Sequence, residues 1–239
     1  MEDDKARIKI GLFIASVFLL VIWLVKIFEV YTGIDLTEYG VFPHQAKGLR
    51  GILFSPFIHS DFTHLISNST SLFILTFSLF ALYTRSSLWV FPIVYIFHGL
   101  AVWLFAREAY HIGASGLVYG FASYLFFIGV FRKDSRSIAL SLLVVFLYGG
   151  LVWGVLPTDP GVSFEAHLAG GVIGLMCSVI FRKYDPLPPK PEEEDEEDED
   201  IEINYDYNGE VNPDDVKIKE DAQPVWFVNT NYKKRKNKN

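Results

Sequence analysis

Residues 10–30 of the chain, IGLFIASVFLLVIWLVKIFEV, form an apolar run whose only charges, Lys26 and Glu29, stand near its end. A helix needs roughly 20 mainly apolar residues to cross a bilayer core of about 30 Å. The run is long for the apolar part of a signal peptide, and no small-residue cleavage pattern follows it. It therefore predicts a retained membrane helix, and we expect Lys26 and Glu29 to extend to the outer interface.

Five further apolar runs of similar length follow the first one. They are residues 62–83, 88–106, 112–131, 138–156 and 162–181. Short connections join them, except for residues 31–61. The pattern predicts an all-α polytopic membrane protein, a bundle of six transmembrane helices.

Composition divides the chain into two parts. It has 239 residues, 51% of them hydrophobic, and a mean hydropathy of +0.26, which is too apolar for an ordinary soluble domain. Residues 185–239 nevertheless hold 17 of the 28 acidic and 8 of the 21 basic residues, a net charge of −9, whereas residues 1–184 carry +2. We expect a membrane-embedded domain over residues 1–184 and a disordered tail over residues 185–239.

The tail carries both signs of charge in separate blocks. Residues 192–200 are nine consecutive carboxylates, and residues 233–238 are mostly basic. The basic end could bind anionic lipids or fold back loosely on the acidic run. Nothing in the chain indicates nucleic-acid binding, and the single cysteine, Cys177, excludes an internal disulfide framework.

The distribution of positive charge predicts the orientation of the six spans. If the N-terminus is cytoplasmic, nine Lys and Arg residues of residues 1–184 lie inside and three lie outside. An even number of spans places both termini on one side. We expect a multi-pass protein of a bacterial inner or plasma membrane with both termini in the cytoplasm.

Strongly polar side chains stand near the start of the second, fourth and sixth spans, all of which run inward from the outer side. They are His64 and Asn68, then Ser115, then His167. Such groups at membrane depth usually face a bundle interior or a cavity. At 1.5 Å per residue His64, Ser115 and His167 each lie only about 3–8 Å along their helices, so they can meet in one shallow pocket.

These residue types suit acyl transfer. A serine hydroxyl needs a base to take its proton, which His167 could supply to Ser115. His64, Asn68 and the first amides of the fourth helix could stabilise an oxyanion. The sequence also places glycines where backbones would approach closely; these are Gly113 and Gly116 around the serine, and Gly170 and Gly174 as a small-xxx-small face of the sixth helix.

Three motifs together resemble the rhomboid intramembrane serine proteases. They are His64-x-x-x-Asn68, Gly113-Ala114-Ser115-Gly116 and Ala166-His167-x-x-Gly170-x-x-x-Gly174, in that family's order and helices. The resemblance spans roughly residues 10–181 and has the basic six-helix form. A Trp-Arg pair, frequent in the family, is absent from the loop before the second span.

The resemblance implies roles for individual residues. Ser115 would be the nucleophile and His167 the general base, with His64 and Asn68 stabilising the oxyanion beside the Ser115 and Ala114 amides. Tyr119 would pack on the His167 ring, and His59 would be structural. The resemblance also implies single-pass transmembrane proteins as substrates, presented laterally from the lipid bilayer.

Two other functions remain open at the level of sequence. One is a non-proteolytic rhomboid-like protein that binds or dislocates membrane proteins; the other is a transporter, although no repeat relates the two halves of the chain. We predict no cofactor and no metal site, and the oligomeric state is not predicted. His98 is expected to pack or form a hydrogen bond, Glu165 to lie at the water boundary, and the loop residues His44 and His111 receive no role.

Overall fold

Six long α-helices form the body of the computed structural model, which describes residues 2–159 and 161–187. They are α1 (Glu2–Thr32), α2 (Phe62–Leu82), α3 (Thr84–Phe105), α4 (Ser115–Arg132), α5 (Ser135–Tyr148) and α6 (Phe164–Phe181). A 3₁₀ segment, Gly149–Val155, extends α5, and short helical turns occupy much of the loop between α1 and α2.

The predicted all-α, six-span fold is confirmed. Six helical segments of the described residues, with α5 and its 3₁₀ extension taken together, are long and apolar enough to cross a membrane. No strand occurs within the described ranges, where one isolated bridge pairs Val41 with His111. The acidic tail from residue 188 onward, with its predicted disorder, lies outside the described residues.

Helix α4 is the centre of the bundle. It contacts α2, α3, α5 and α6, and its span is 61% buried, against 17% for the spans of α1 and α5. Its side chains Phe121, Tyr124 and Leu125 are fully buried, whereas Phe13 of α1 and Phe146 of α5 are exposed. Apolar side chains on the outside of a bundle are expected where lipid surrounds it. The central helix, α4, is the one that carries Ser115.

Local signals set where α4 and α6 begin. The apolar run that includes α4 starts at residue 112, but the helix begins at Ser115 because Gly113 has a φ of +104°, outside the helical region. Helix α6 begins after Ser163, whose Oγ accepts a hydrogen bond from the Ala166 amide. Ser115 thus starts one helix, and His167 lies in the first turn of the other.

The prediction that Lys26 extends to the interface is wrong. Its side chain is buried and its Nζ donates to Glu29 Oε2 at 2.9 Å, to the His59 carbonyl at 2.8 Å and to the Ser60 carbonyl at 2.9 Å. The buried ammonium therefore has three oxygen acceptors inside the protein, which offsets the cost of its burial. These hydrogen bonds hold α1 against the loop that leads into α2.

Asp185, which the sequence boundary assigns to the tail, belongs to the body. The residue is buried, and its carboxylate accepts hydrogen bonds from the amides of Arg85 and Ser86 at the start of α3. Arg132 Nη1 donates to the Asp185 carbonyl at 2.9 Å. A carboxylate at a helix N-terminus is stabilised by the free amides there, which explains why the ordered chain continues past residue 184.

Candidate active site

Ser115 and His167 come together between α4 and α6. The distance from His167 Nε2 to Ser115 Oγ is 2.9 Å, a hydrogen-bonding distance. His167 is buried, and its Nδ1 lies 2.8 Å from the carbonyl oxygen of Gly154. A carbonyl only accepts, so Nδ1 carries the proton and Nε2 of the neutral ring accepts from the serine hydroxyl.

Gly154 is a site residue that the sequence analysis missed. It lies in the 3₁₀ segment after α5, which we treated as the end of a regular span. A Cβ on Gly154 would stand 1.9 Å from Tyr119 Oη and 3.2 Å from His167 Nδ1, so only glycine fits there. The glycines at positions 149, 150 and 154 were the available signal that the helix does not continue.

Tyr119 packs on the imidazole of His167. The two rings are stacked, with centroids 4.1 Å apart and planes 7° from parallel. Tyr119 is one turn beyond Ser115 on α4, so the helix that carries the hydroxyl also supports the ring that faces it. Stacking on one face and the Gly154 carbonyl at the edge hold the orientation of the imidazole.

Four glycines allow α4 and α6 to approach closely. A Cβ on Gly170 would lie 2.1 Å from the Gly116 carbonyl oxygen, and one on Gly174 would lie 2.0 Å from that of Gly120. Backbone therefore meets backbone along this contact, as small residues permit. Gly116 has a second neighbour, since a Cβ there would stand 2.4 Å from His98 Cδ2. His98 itself forms a hydrogen bond through Nδ1 with the Val94 carbonyl at 2.8 Å, which agrees with the packing or hydrogen-bonding role expected for it.

His64 and Asn68 lie on α2 and face Gly113, two residues before Ser115. A Cβ on Gly113 would stand 2.7 Å from His64 Cε1, 2.8 Å from His64 Nε2 and 3.8 Å from Asn68 Nδ2. Nδ2 of Asn68 is buried and has no hydrogen-bond partner within the described part of the chain. A buried donor without an acceptor is costly, so a group that binds beside Gly113 finds a donor ready.

Ala114 has a neighbour of its own. Its amide lies 3.5 Å from His59 Nε2, a long contact, and the Gly113 amide donates to the Ser55 carbonyl at 2.9 Å. Burial lowers the pKa of His59 to about 4, which keeps the ring neutral and able to accept. The Ser115 amide, in the first turn of α4, has no acceptor within its own helix. Of the two predicted backbone donors, that of Ser115 is the better placed.

Glu165, which was expected to lie at the water boundary, is in the first turn of α6. Its side chain is 14% exposed, and its Oε1 lies 3.6 Å from Nη1 of Arg107 in the loop before α4. Its Oε2 is buried without a partner in the described residues. No group of three His, Cys, Asp or Glu side chains in the described ranges could hold a metal ion.

Comparison with known proteins agrees with this arrangement. Residues 46–184 match the family model for the Rhomboid domain, which is more than half of the chain. The chain belongs to the rhomboid family. The match starts in the loop between α1 and α2 and ends after α6, so the family assignment covers every predicted site residue. The rhomboid chain is accordingly an integral, multi-pass membrane protein.

Individual relatives extend over most of the same region. An uncharacterized Mycobacterium tuberculosis protein is 31% identical over 172 residues, which cover 68% of this chain and 72% of the relative. An uncharacterized Mycobacterium leprae protein is 30% identical over 187 residues, 74% of each chain. A protein of Acanthamoeba polyphaga mimivirus that is named as a rhomboid protein is 29% identical over 146 residues, 57% of this chain and 75% of the relative.

Proposed function

We propose that this rhomboid protein is an intramembrane serine endopeptidase that uses Ser115 as nucleophile and His167 as general base. The observation that carries the proposal is the Ser115 Oγ to His167 Nε2 contact of 2.9 Å, with Nδ1 fixed on the Gly154 carbonyl. This tautomer leaves Nε2 free to take the hydroxyl proton. The other groups that we assign to the reaction lie around that contact.

The reaction follows the path of acyl transfer. As the Ser115 Oγ–C bond forms, the hydroxyl proton passes to His167 Nε2, and the carbonyl oxygen of the scissile amide becomes an oxyanion. The C–N bond then breaks and the same proton passes to the leaving amine. Water, deprotonated by His167, hydrolyses the ester and restores the serine.

The oxyanion requires preorganised donors. Asn68 Nδ2, which has no partner in the described residues, and His64 Nε2, which donates only when the imidazole carries a proton on that nitrogen, both border Gly113. We assign them, with the Ser115 amide and, less directly, that of Ala114, to the oxyanion. A Cβ at position 113 would crowd the His64 ring, so glycine there lets that ring lie against the backbone that precedes Ser115.

The substrates proposed for this site are single-pass transmembrane proteins. The six apolar spans support this proposal, because Ser115 and His167 lie near the starts of α4 and α6, at one end of their spans. The proposed orientation puts both termini in the cytoplasm and the site near the outer face, in a bacterial inner or plasma membrane. We assign no cofactor to the reaction.

The test is cleavage of a single-pass reporter protein in liposomes, together with labelling by a fluorophosphonate, which reacts with activated serines. Wild type should cleave and label, and Ser115→Ala should do neither. Ser67→Ala is the matched control, because Ser67 is exposed on α2 and donates to the His64 carbonyl of its own helix. Wild type that binds the reporter without cleaving it would favour the non-proteolytic alternative. Labelling that persists in Ser115→Ala would reject the assignment of the nucleophile.

A further inference from the structure

A second serine–histidine contact lies outside the reacting pair. Nδ1 of His111 is 2.6 Å from Oγ of Ser163. His111 stands four residues before Ser115, and Ser163 stands four residues before His167. The contact therefore joins the two loops that lead into α4 and α6, four residues ahead of the proposed nucleophile and the proposed base.

The hydrogen bonds of this contact have a fixed direction. Nε2 of His111 lies 3.0 Å from the Arg107 carbonyl, which only accepts, so Nε2 carries the ring proton. Burial lowers the pKa of His111, which favours the neutral ring. Nδ1 is therefore an acceptor, and the Ser163 hydroxyl donates to it.

Ser163 connects the contact to α6. While its hydroxyl donates to His111, its Oγ accepts from the Ala166 amide at 3.3 Å, and its carbonyl accepts from the His167 amide at 3.3 Å. The hydroxyl is thus engaged on both sides as a helix cap, which is a structural use and not that of a nucleophile. Its position determines where the first turn of α6, and with it His167, stands.

The loop on the other side is anchored independently. The amide and carbonyl of His111 pair with the carbonyl and amide of Val41 at 2.8 and 3.0 Å, respectively. Arg107 Nη2 adds a hydrogen bond of 2.9 Å to the Val162 carbonyl, beside its contact with Glu165. The segment before α6 is therefore held at two points by a loop that is itself fixed to the body.

We propose that the His111–Ser163 contact positions His167 relative to Ser115, which makes His111 a positioning residue of the active site. The proposal rests on the proposed proteolytic function. It adds the contact that sets the 2.9 Å distance between Ser115 Oγ and His167 Nε2. His111 touches neither reacting atom. Its effect reaches Ser115 through residues 112–114 and His167 through the first turn of α6, so its loss should impair the chemical step more than substrate binding.

The principal variants are His111→Phe, which keeps a ring but removes both nitrogens, and Ser163→Ala. Misplacement of a reacting group by about 1 Å can cost on the order of 100-fold in rate. We expect kcat to fall on the order of 10- to 100-fold in His111→Phe, with KM nearly unchanged and fluorophosphonate labelling slowed to the same extent. Ser163→Thr, which retains the hydroxyl, should restore kcat where Ser163→Ala loses it.

Hydrogen exchange of residues 161–168 provides a readout that does not need activity. His111→Phe and Ser163→Ala should raise exchange there and leave residues 62–82 unchanged. A folded His111→Phe with wild-type kcat, or a loss confined to KM, would overturn the proposal. Wild type that neither cleaves nor labels would overturn the proteolytic function alone. Hydrogen exchange would then test the His111–Ser163 contact by itself, and unchanged exchange of residues 161–168 in both variants would overturn the positioning role of His111.

Discussion

Substitution of Gly170 by alanine tests the close contact of α4 and α6. The added Cβ would stand 2.1 Å from the Gly116 carbonyl oxygen and 3.0 Å from its carbon, whereas an ordinary contact begins near 3.4 Å. Both groups are backbone, so no side chain can rotate away. The helices must separate locally by about 1 Å or more, at a cost of about 1–3 kcal/mol for overpacking.

The separation acts directly on the reacting pair. Gly116 follows Ser115, and Gly170 lies one turn after His167, so the displacement passes to both groups. Adding about 1 Å to the 2.9 Å between Nε2 and Oγ takes the pair beyond hydrogen-bonding distance. We expect kcat to fall on the order of 100-fold.

Gly171→Ala is the matched control, since a Cβ at Gly171 meets nothing within 4 Å. It should retain activity and gain up to about 1 kcal/mol of helix stability, because alanine favours helix over glycine. The assays are kcat on a single-pass reporter and thermal unfolding of both variants in one detergent. If Gly170→Ala matches Gly171→Ala in both measurements, the close helix contact does not set the geometry of the site.

Four further predictions concern separate parts of the molecule. Asn68→Ala should lower kcat on the order of 10²–10³-fold with little change in KM, since it removes one oxyanion donor; unchanged kcat would reject that role. Lys26→Met should destabilise the fold by about 3–5 kcal/mol, because it removes the ion-pair partner of the largely buried Glu29 carboxylate and the donor to two loop carbonyls, and chemical unfolding at neutral pH measures this. His59, held neutral by burial with a pKa of about 4, should reduce stability as pH falls below the unfolded value of 6.5, by about 2 kcal/mol between pH 7 and pH 5. The pH dependence should be smaller in His59→Gln, and an equal dependence would contradict the assignment. Deleting residues 189–239, which retains Asp185 at the start of α3, should leave kcat within a few-fold of wild type in neutral detergent, and a larger loss would mean that the tail contributes to the site.

The six spans could be predicted because the composition of each span is enough to determine it. A run of about 20 apolar side chains has no stable alternative to a membrane helix. The ends of the helices were less predictable, because neighbours elsewhere in the chain decide them. Gly113 leaves the helical region while its amide bonds Ser55, nearly 60 residues away in the sequence.

The residues of the candidate site likewise separate into those that the sequence could predict and those that it could not. Ser115, His167, His64 and Asn68 could be singled out because polar side chains are conspicuous in apolar runs. The partner of His167 Nδ1 could not, because it is the backbone carbonyl of Gly154, and every residue has a carbonyl. The error over Lys26 has a related cause, because the partners of its side chain include two loop carbonyls.

A carbonyl in the position of the third catalytic group suits a site inside a membrane protein. A carboxylate there would have to be buried with its charge beside a neutral ring, and unpaired charge at membrane depth is costly. The Gly154 carbonyl fixes the tautomer of His167 without adding a charge, and the stacked Tyr119 ring fixes its plane. In the proposed reaction, the proton on His167 and the oxyanion beside Asn68 arise together, as a pair of opposite charges, when Ser115 attacks. The proposed chemistry therefore needs no isolated charge in the resting site, which explains how two neutral side chains and one backbone oxygen can suffice.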